Sequence, residues 1–111
     1  MRVYKFGGAS VKDANGVRNL KEIIVQSSDD LMVVISAMGK TTNALERVVA
    51  TLAQGDEQTA ETEWLGVLDH HVYTMQDLGL QPNVDVRLPM MPEYNTNWSY
   101  DQNYDQIVSL G

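Results

Sequence analysis

The chain has 111 residues, and 43% of them are apolar, which is typical of a single small globular domain. It has no cysteine, which excludes disulfide scaffolds and cysteine nucleophiles and fits a cytoplasmic protein. The net charge is −7, and residues 55–111 carry one basic against ten acidic side chains. Since no apolar run is long enough for a membrane span, we expect no membrane partner. Since the second half has too few basic side chains to neutralise phosphates, we expect no nucleic acid as partner.

A strand–helix–strand unit is predicted at the start of the chain. Residues 1–6 are rich in strand formers and end at two glycines. Apolar residues then recur at the three- and four-residue steps of an amphipathic helix, which Ser10 is placed to cap. The unbroken apolar run 31–35 predicts a strand covered on both faces, as central parallel strands are.

The rest of the chain is predicted to be helical, with one interruption. A helix starts near Asn43 and ends at Gly55, so residues 1–55 form a βαβα segment. Its predicted buried stripe consists of Leu45, Val48, Val49 and Leu52. Residues 56–79 form the next helix, with Asp56 as its cap. Residues 80–98 contain all three prolines and predict an irregular loop. Residues 99–111 begin a further helix, with Ser99 and Gln102 at the spacing of a capping box. Because two strands do not make a stable sheet, we expect an α/β fold that is the incomplete start of an open parallel-sheet αβα sandwich.

The first candidate site is the segment 5–10, Lys-Phe-Gly-Gly-Ala-Ser. A strand that ends in two glycines places bare backbone amides where a phosphate oxygen can approach, because no Cβ blocks the way. Lys5 adds a mobile positive charge for a transferring phosphoryl group. The alternative is an ordinary tight turn beside a surface lysine, and the spacing alone does not decide between them.

The second candidate site is the segment 36–43, which follows the second strand. Ligands in open α/β sheets bind at this edge. Gly39-Lys40-Thr41 imitates the end of a P-loop, but that motif requires a glycine where this chain has Val34, so we reject a P-loop. The alternative is that Thr42 only caps the next helix.

The two histidines, His70 and His71, are adjacent in the sequence. On a helix they diverge by about 100°, which does not suit two ligands of one metal ion. We therefore expect no metal site, and we expect His71 to pack on the apolar face of its helix.

Three segments together resemble the start of the aspartokinases, members of the amino-acid kinase family. Residues 5–11 match Lys-Phe-Gly-Gly-Thr-Ser-Val except at Ala9. The strand that leads into Ser36-Ala37 and then Thr42-Asn43 matches a second family block, and residues 108–111 match the first part of a third. The resemblance implies the carbamate kinase-like fold of that family. It is dense over residues 1–52 and 101–111 and weak between them.

The resemblance implies that the γ-phosphoryl group of ATP, with Mg²⁺, passes to the side-chain carboxylate of L-aspartate. That step opens lysine, threonine and methionine biosynthesis. It assigns the catalytic role to Lys5, phosphate binding to Lys5, Gly7, Gly8 and Ser10, and aspartate binding to Ser36, Thr42 and Asn43. Because the later half of the family pattern is missing, we expect these 111 residues alone to be an inactive fragment.

Two alternatives remain. The chain could be a non-catalytic interaction or complementation segment, with a homo-oligomer formed through its uncovered sheet edge. It could also belong to another amino-acid kinase with a different substrate, and binding of aspartate against glutamate would separate that case.

Overall fold

The computed structural model describes residues 1–27 and 29–111, and it confirms an α/β fold. The described chain divides into two compact units, unit 1 over Met1–Lys40 and unit 2 over Thr41–Gly111. Among the described residues, no helix is both long enough and apolar enough to cross a membrane.

Unit 1 is the predicted strand–helix–strand unit. Strand β1 spans Arg2–Phe6, helix α1 spans Ala14–Gln26 and strand β2 spans Leu31–Ile35. The two strands pair in parallel with Tyr4 opposite Val33, so their carboxyl ends lie at the same edge. The helical spacing is confirmed as well, because Ala14 and Leu20 of α1 are buried.

The opposite faces of the two-stranded sheet differ in burial. Register partners lie on the same face of a parallel pair, which places Val3 beside Met32 and Lys5 beside Val34. Val3, Met32 and Val34 are 52%, 50% and 47% exposed. The prediction that β2 is covered on both faces is therefore wrong for the described chain, because this second face is open.

The predicted start of α1 is also wrong. Ser10 does not cap the helix, because α1 begins only at Ala14. Ser10 lies instead in a tight turn, where its amide donates to the carbonyl of Gly7 at 3.0 Å. The cap is Asp13, whose Oδ1 accepts from the amide of Gly16 at 2.8 Å. A carboxylate satisfies an amide that the first helical turn would otherwise leave without a partner, so Asp13 fixes the start of α1.

Unit 2 contains three helices, α2 over Thr41–Ala53, α3 over Glu57–Asp77 and α4 over Tyr100–Val108. Helix α2 packs against both α3 and α4. The predicted apolar stripe of α2 is confirmed. The core cluster consists of buried apolar side chains from all three helices: Leu45, Val48, Val49, Ala60, Trp64, Val67 and Ile107.

Helices α3 and α4 begin at the predicted caps. The carboxylate of Asp56 accepts from the amide of Thr59 at 3.1 Å, and Ser99 and Gln102 form a complete capping box. The hydroxyl of Tyr104 donates to Oε1 of Glu46 at 2.8 Å and so connects α4 to α2. This hydrogen bond raises the pKa of Tyr104, because it stabilises the protonated phenol.

Asn103 of α4 is a buried polar residue that holds the preceding loop. Its Nδ2 donates to the carbonyls of Asn95 and Ser99 at 2.9 and 3.0 Å, and its Oδ1 accepts from the amide of Asn95 at 2.8 Å. Only 1% of Asn103 is exposed. Since the side-chain amide is bonded through both its oxygen and its nitrogen, its burial is compensated.

Candidate functional site

The candidate site of unit 1 lies where its two parallel strands end. The amide of Ser36, directly after β2, donates to the carbonyl of Phe6 at 2.9 Å and extends the strand pairing by one step. Beyond it, the amide of Gly39 donates to the carbonyl of Gly8 at 3.1 Å. The two loops that the sequence singles out therefore contact each other.

Two glycines make this contact possible. A Cβ built on Gly8 would lie 2.8 Å from the carbonyl oxygen of Gly39 and 3.3 Å from that of Ala37, both backbone atoms. Gly39 has a φ of +52°, a conformation that other residues adopt at a cost. The loops are thus closer together than any side chain at position 8 would allow.

The amides of Gly7 and Gly8 lie in a loop that precedes the helix. Helix α1 begins only at Ala14, so these amides are not part of its first turn. In the part of the chain that the structure describes, neither amide donates a hydrogen bond to another protein group. Two neighbouring amides without an internal acceptor are able to bind an anion, as the backbone amides of phosphate-binding loops do.

Lys5 is exposed and lies on β1, two residues before Gly7. Its register partner is Val34, so it belongs to the open face of the sheet. Within the described residues, Lys5 forms no ion pair. No neighbouring carboxylate of the described residues therefore neutralises its charge, and the ammonium is available to a phosphate.

The residues that the sequence proposes for aspartate fall in different units. Ser36 is exposed and lies in unit 1, at the same edge as the glycine loop. Thr42 and Asn43 are exposed and lie in the first turn of α2, in unit 2. Unit 1 thus brings together Lys5, Gly7, Gly8, Ser10 and Ser36. Thr42 is not a residue that precedes α2, as the capping alternative requires, but lies inside the helix.

Sequence reasoning misses Gly16. A Cβ at this position would overlap the carbonyl oxygen of Ser10, so the turn that follows the glycine loop packs directly on α1. The available signal is a glycine inside a helical pattern, which indicates a close approach of another backbone. Gly16 therefore fixes the geometry of the turn between Gly8 and α1.

The histidines offer no metal site in the described chain. Nδ1 of the half-buried His71 lies 2.7 Å from the carbonyl of Val67, one turn earlier in α3. No group of three or more His, Cys, Asp or Glu side chains among the described residues is placed to hold a metal ion.

Curated relatives of this chain are aspartokinases. It is 34% identical over 88 residues to aspartokinase 1, chloroplastic, of Arabidopsis thaliana, a match that covers 74% of this chain and 15% of that protein. It is 48% identical over 46 residues to the aspartokinase of Mycolicibacterium smegmatis, covering 39% of this chain and 11% of the relative. For the aspartokinase of Corynebacterium glutamicum the identity is 42% over 53 residues, covering 45% and 13%.

The chain therefore spans only about a sixth or less of the length of these relatives. No solved structure matches it. The model of the amino acid kinase family matches residues 1–109, nearly the whole chain. The chain belongs to the amino acid kinase family.

Proposed function

We propose that this chain supplies the phosphate-binding and aspartate-binding residues of an aspartate kinase. The observation that carries the proposal is the contact of the two loops at the carboxyl edge of the sheet. There, the amides of Gly7 and Gly8 donate to no group of the residues that the structure describes, and the carbonyl of Gly8 accepts from the amide of Gly39. The names of the relatives support aspartate as the acceptor.

In the proposed reaction, a side-chain carboxylate oxygen of L-aspartate attacks the γ-phosphorus of ATP. The bond between that phosphorus and the oxygen bridging to the β-phosphate breaks, and its electron pair leaves with ADP. The product is an acyl phosphate. Phosphoryl transfer of this kind depends on positioning and charge stabilisation more than on covalent chemistry of the protein.

Lys5 and the glycine amides supply these two effects. The ammonium of Lys5 offsets the negative charge on the transferring group, and the amides of Gly7 and Gly8 donate hydrogen bonds to its oxygens. Ser10 adds a hydroxyl in the same turn. Ser36, Thr42 and Asn43 are the residues that the resemblance to the aspartokinases assigns to aspartate.

ATP is the co-substrate in this proposal and enters with Mg²⁺. Mg²⁺ in kinase sites is held largely by substrate phosphates and water, with one or two carboxylates. Since the described residues contain no cluster suited to a metal ion, we assign none of them to Mg²⁺.

Amide chemical shifts of the ¹⁵N-labelled 111-residue chain test the phosphate-binding part of the proposal. Titration with ATP and Mg²⁺ should shift the resonances of Gly7 and Gly8 until they saturate. Lys5→Met should weaken this binding about tenfold, because a charge-assisted contact is lost. Lys21→Met, which removes an equal charge from an exposed position in α1, is the control. Unshifted glycine resonances, or an equal loss in both variants, would contradict the proposal.

Aspartate binding is tested in the same way. L-aspartate should shift the amides of Ser36 and Thr42 at concentrations where L-glutamate does not. Tighter binding of glutamate would favour another member of the family. With ATP and aspartate together, we expect no aspartate-dependent ADP release from the 111 residues alone, because part of an active site loses the positioning on which the rate depends.

The open face of the sheet favours a second candidate, a non-catalytic interaction segment. Val3, Met32 and Val34 are each about half exposed on a parallel sheet, a class of sheet that other proteins cover on both faces. Sedimentation of the purified chain separates the two proposals. Self-association without ATP binding would support the interaction segment. A folded monomer that binds ATP would support the kinase proposal and contradict the interaction segment.

A further inference from the structure

Lys40, which follows Gly39, has no role in the function proposed above. The segment does not match a P-loop, because Val34 stands where that motif requires a glycine. The structure nevertheless places Gly39 against another glycine-rich loop, since the amide of Gly39 donates to the carbonyl of Gly8 at 3.1 Å. The second loop thus carries a lysine one residue beyond its contact with the first loop.

The backbone fixes where Lys40 begins. The Cα atoms of Gly39 and Lys40 are about 3.8 Å apart, as in every trans peptide. The carbonyl of Gly39 lies so close to Gly8 that a single added carbon on Gly8 would be 2.8 Å from it. Lys40 is therefore one residue away from the contact between Gly39 and Gly8. The φ of +52° at Gly39 sets the direction of the backbone that leads into Lys40.

The surrounding charges leave the ammonium of Lys40 available. Within the described residues, Lys40 forms no ion pair, and its side chain is exposed. Two of the acidic side chains of unit 1 are already engaged. Asp13 caps α1, and Asp29 pairs with Arg2 at 2.9 Å.

We propose that Lys40 is a second phosphate-binding residue, which contacts a polyphosphate held by the Gly7 and Gly8 amides and by Lys5. This inference rests on the proposed function, because it assumes that the glycine loop binds phosphate. The chemistry favours two cations, since a triphosphate carries more negative charge than one ammonium offsets. Lys40 then contributes to the preference for a polyphosphate over a single phosphate.

The test uses inorganic tripolyphosphate and inorganic phosphate as probes of the ¹⁵N-labelled 111-residue chain. Lys40→Met should weaken tripolyphosphate binding about fivefold to tenfold, measured from the shifts of the Gly7 and Gly8 amides. It should change phosphate binding much less. Lys21→Met should leave both unchanged, and Lys40→Arg should retain most of the tripolyphosphate affinity. The circular dichroism spectrum of each variant shows whether the fold is intact.

Three outcomes overturn the inference in different ways. If the wild-type chain gives no saturable shift at Gly7 and Gly8, both the inference and the proposed function fail. If Lys40→Met binds tripolyphosphate as wild type does while Lys5→Met does not, only the inference fails. If Lys21→Met weakens binding as much as Lys40→Met, the effect is one of net charge and the specific contact is excluded.

Discussion

The two units of the chain are organised by opposite principles. Unit 1 has six basic and four acidic side chains, a net charge of +2, whereas unit 2 has two basic and eleven acidic side chains, a net charge of −9. Among the described residues, three buried apolar side chains lie in unit 1 and eight in unit 2. The candidate phosphate site is in the unit with the smaller core and the positive charge.

This difference shows how each unit acquires its geometry. Unit 2 is held by side-chain packing between helices, which buries apolar surface and provides most of the stabilisation. Unit 1 has a sheet of only two strands, which is marginal by itself. Its loops are fixed instead by close backbone contacts at Gly8, Gly16 and Gly39. Substitutions should therefore affect stability most in unit 2 and anion binding most in unit 1.

The largest effect is expected from Trp64→Ala. Trp64 is 2% exposed and lies in the core cluster of unit 2. Removing a buried tryptophan leaves a cavity and costs about 3–5 kcal/mol, a large part of the stability of a small domain. Urea unfolding followed by far-ultraviolet circular dichroism measures the loss. The other tryptophan, Trp98, is 44% exposed, so Trp98→Ala is the control and should cost much less. Equal losses would contradict the assignment of the core.

A smaller loss is expected from Asn103→Ala. The substitution removes the three hydrogen bonds between Asn103 and the loop 95–99, and it leaves the amide of Asn95 without its acceptor. A buried donor without a partner, together with the lost bonds, should cost about 2–3 kcal/mol. Amide exchange at Asn95 should also accelerate. The exposed Asn97 provides the control, and an equal effect of Asn97→Ala would show that the loop is not held by Asn103.

Gly8→Ala is expected to perturb unit 1 and to leave unit 2 unchanged. The new methyl group would meet the backbone of Gly39 and Ala37, so the loops must move apart at a cost of about 1–2 kcal/mol. Gly7→Ala has no heavy atom within 4 Å of the added carbon and should cost less. Amide spectra should show changes at Ser36 and Gly39 in the first variant, with the helices of unit 2 unaffected. Loss of the unit 2 helices would contradict this expectation.

The sequence predicts the elements of this fold better than their ends. Apolar spacing identifies α2 and its buried residues, because a helical stripe needs only local information. The start of α1 is missed because two polar residues compete to cap it. Ser10 is used in a turn with Gly7, and Asp13 takes the cap. Asn103 is missed because its burial depends on the loop 95–99 folding back over α4, which no local pattern encodes.

The candidate site is predictable in its residue types and not in its geometry. The sequence identifies Gly7 and Gly8 because paired glycines after a strand indicate a close backbone approach. It does not predict that Gly8 contacts Gly39, because that contact depends on the strand register and on the positive φ of Gly39. It also does not predict the open face beside Lys5, because coverage of a sheet depends on elements distant in the sequence.

The smallest effect is expected at the cap of α3. The hydroxyl of Thr59 donates to Oδ2 of Asp56 at 2.6 Å, and the amide of Thr59 donates to Oδ1. Both bonds stabilise the carboxylate and lower the pKa of Asp56 below its ordinary value of 3.8, the hydroxyl contributing most. The resulting stabilisation is fully present above pH 3.8 and is lost as the pH falls through the lower value of the folded protein.

Thr59→Val tests this cause directly, because it removes the hydroxyl and keeps the shape of the side chain. The pKa of Asp56, followed by the carbon resonance of its carboxyl group, should rise towards 3.8, and the acid sensitivity of α3 should decrease. Thr62→Val is the matched control, since the hydroxyl of Thr62 donates to the carbonyl of Gln58 and not to a carboxylate. An unchanged pKa of Asp56 in Thr59→Val would show that the amide of Thr59 alone holds the cap. In that case α3 would start as α1 does, with a single hydrogen bond that a backbone amide donates to the carboxylate of an aspartate.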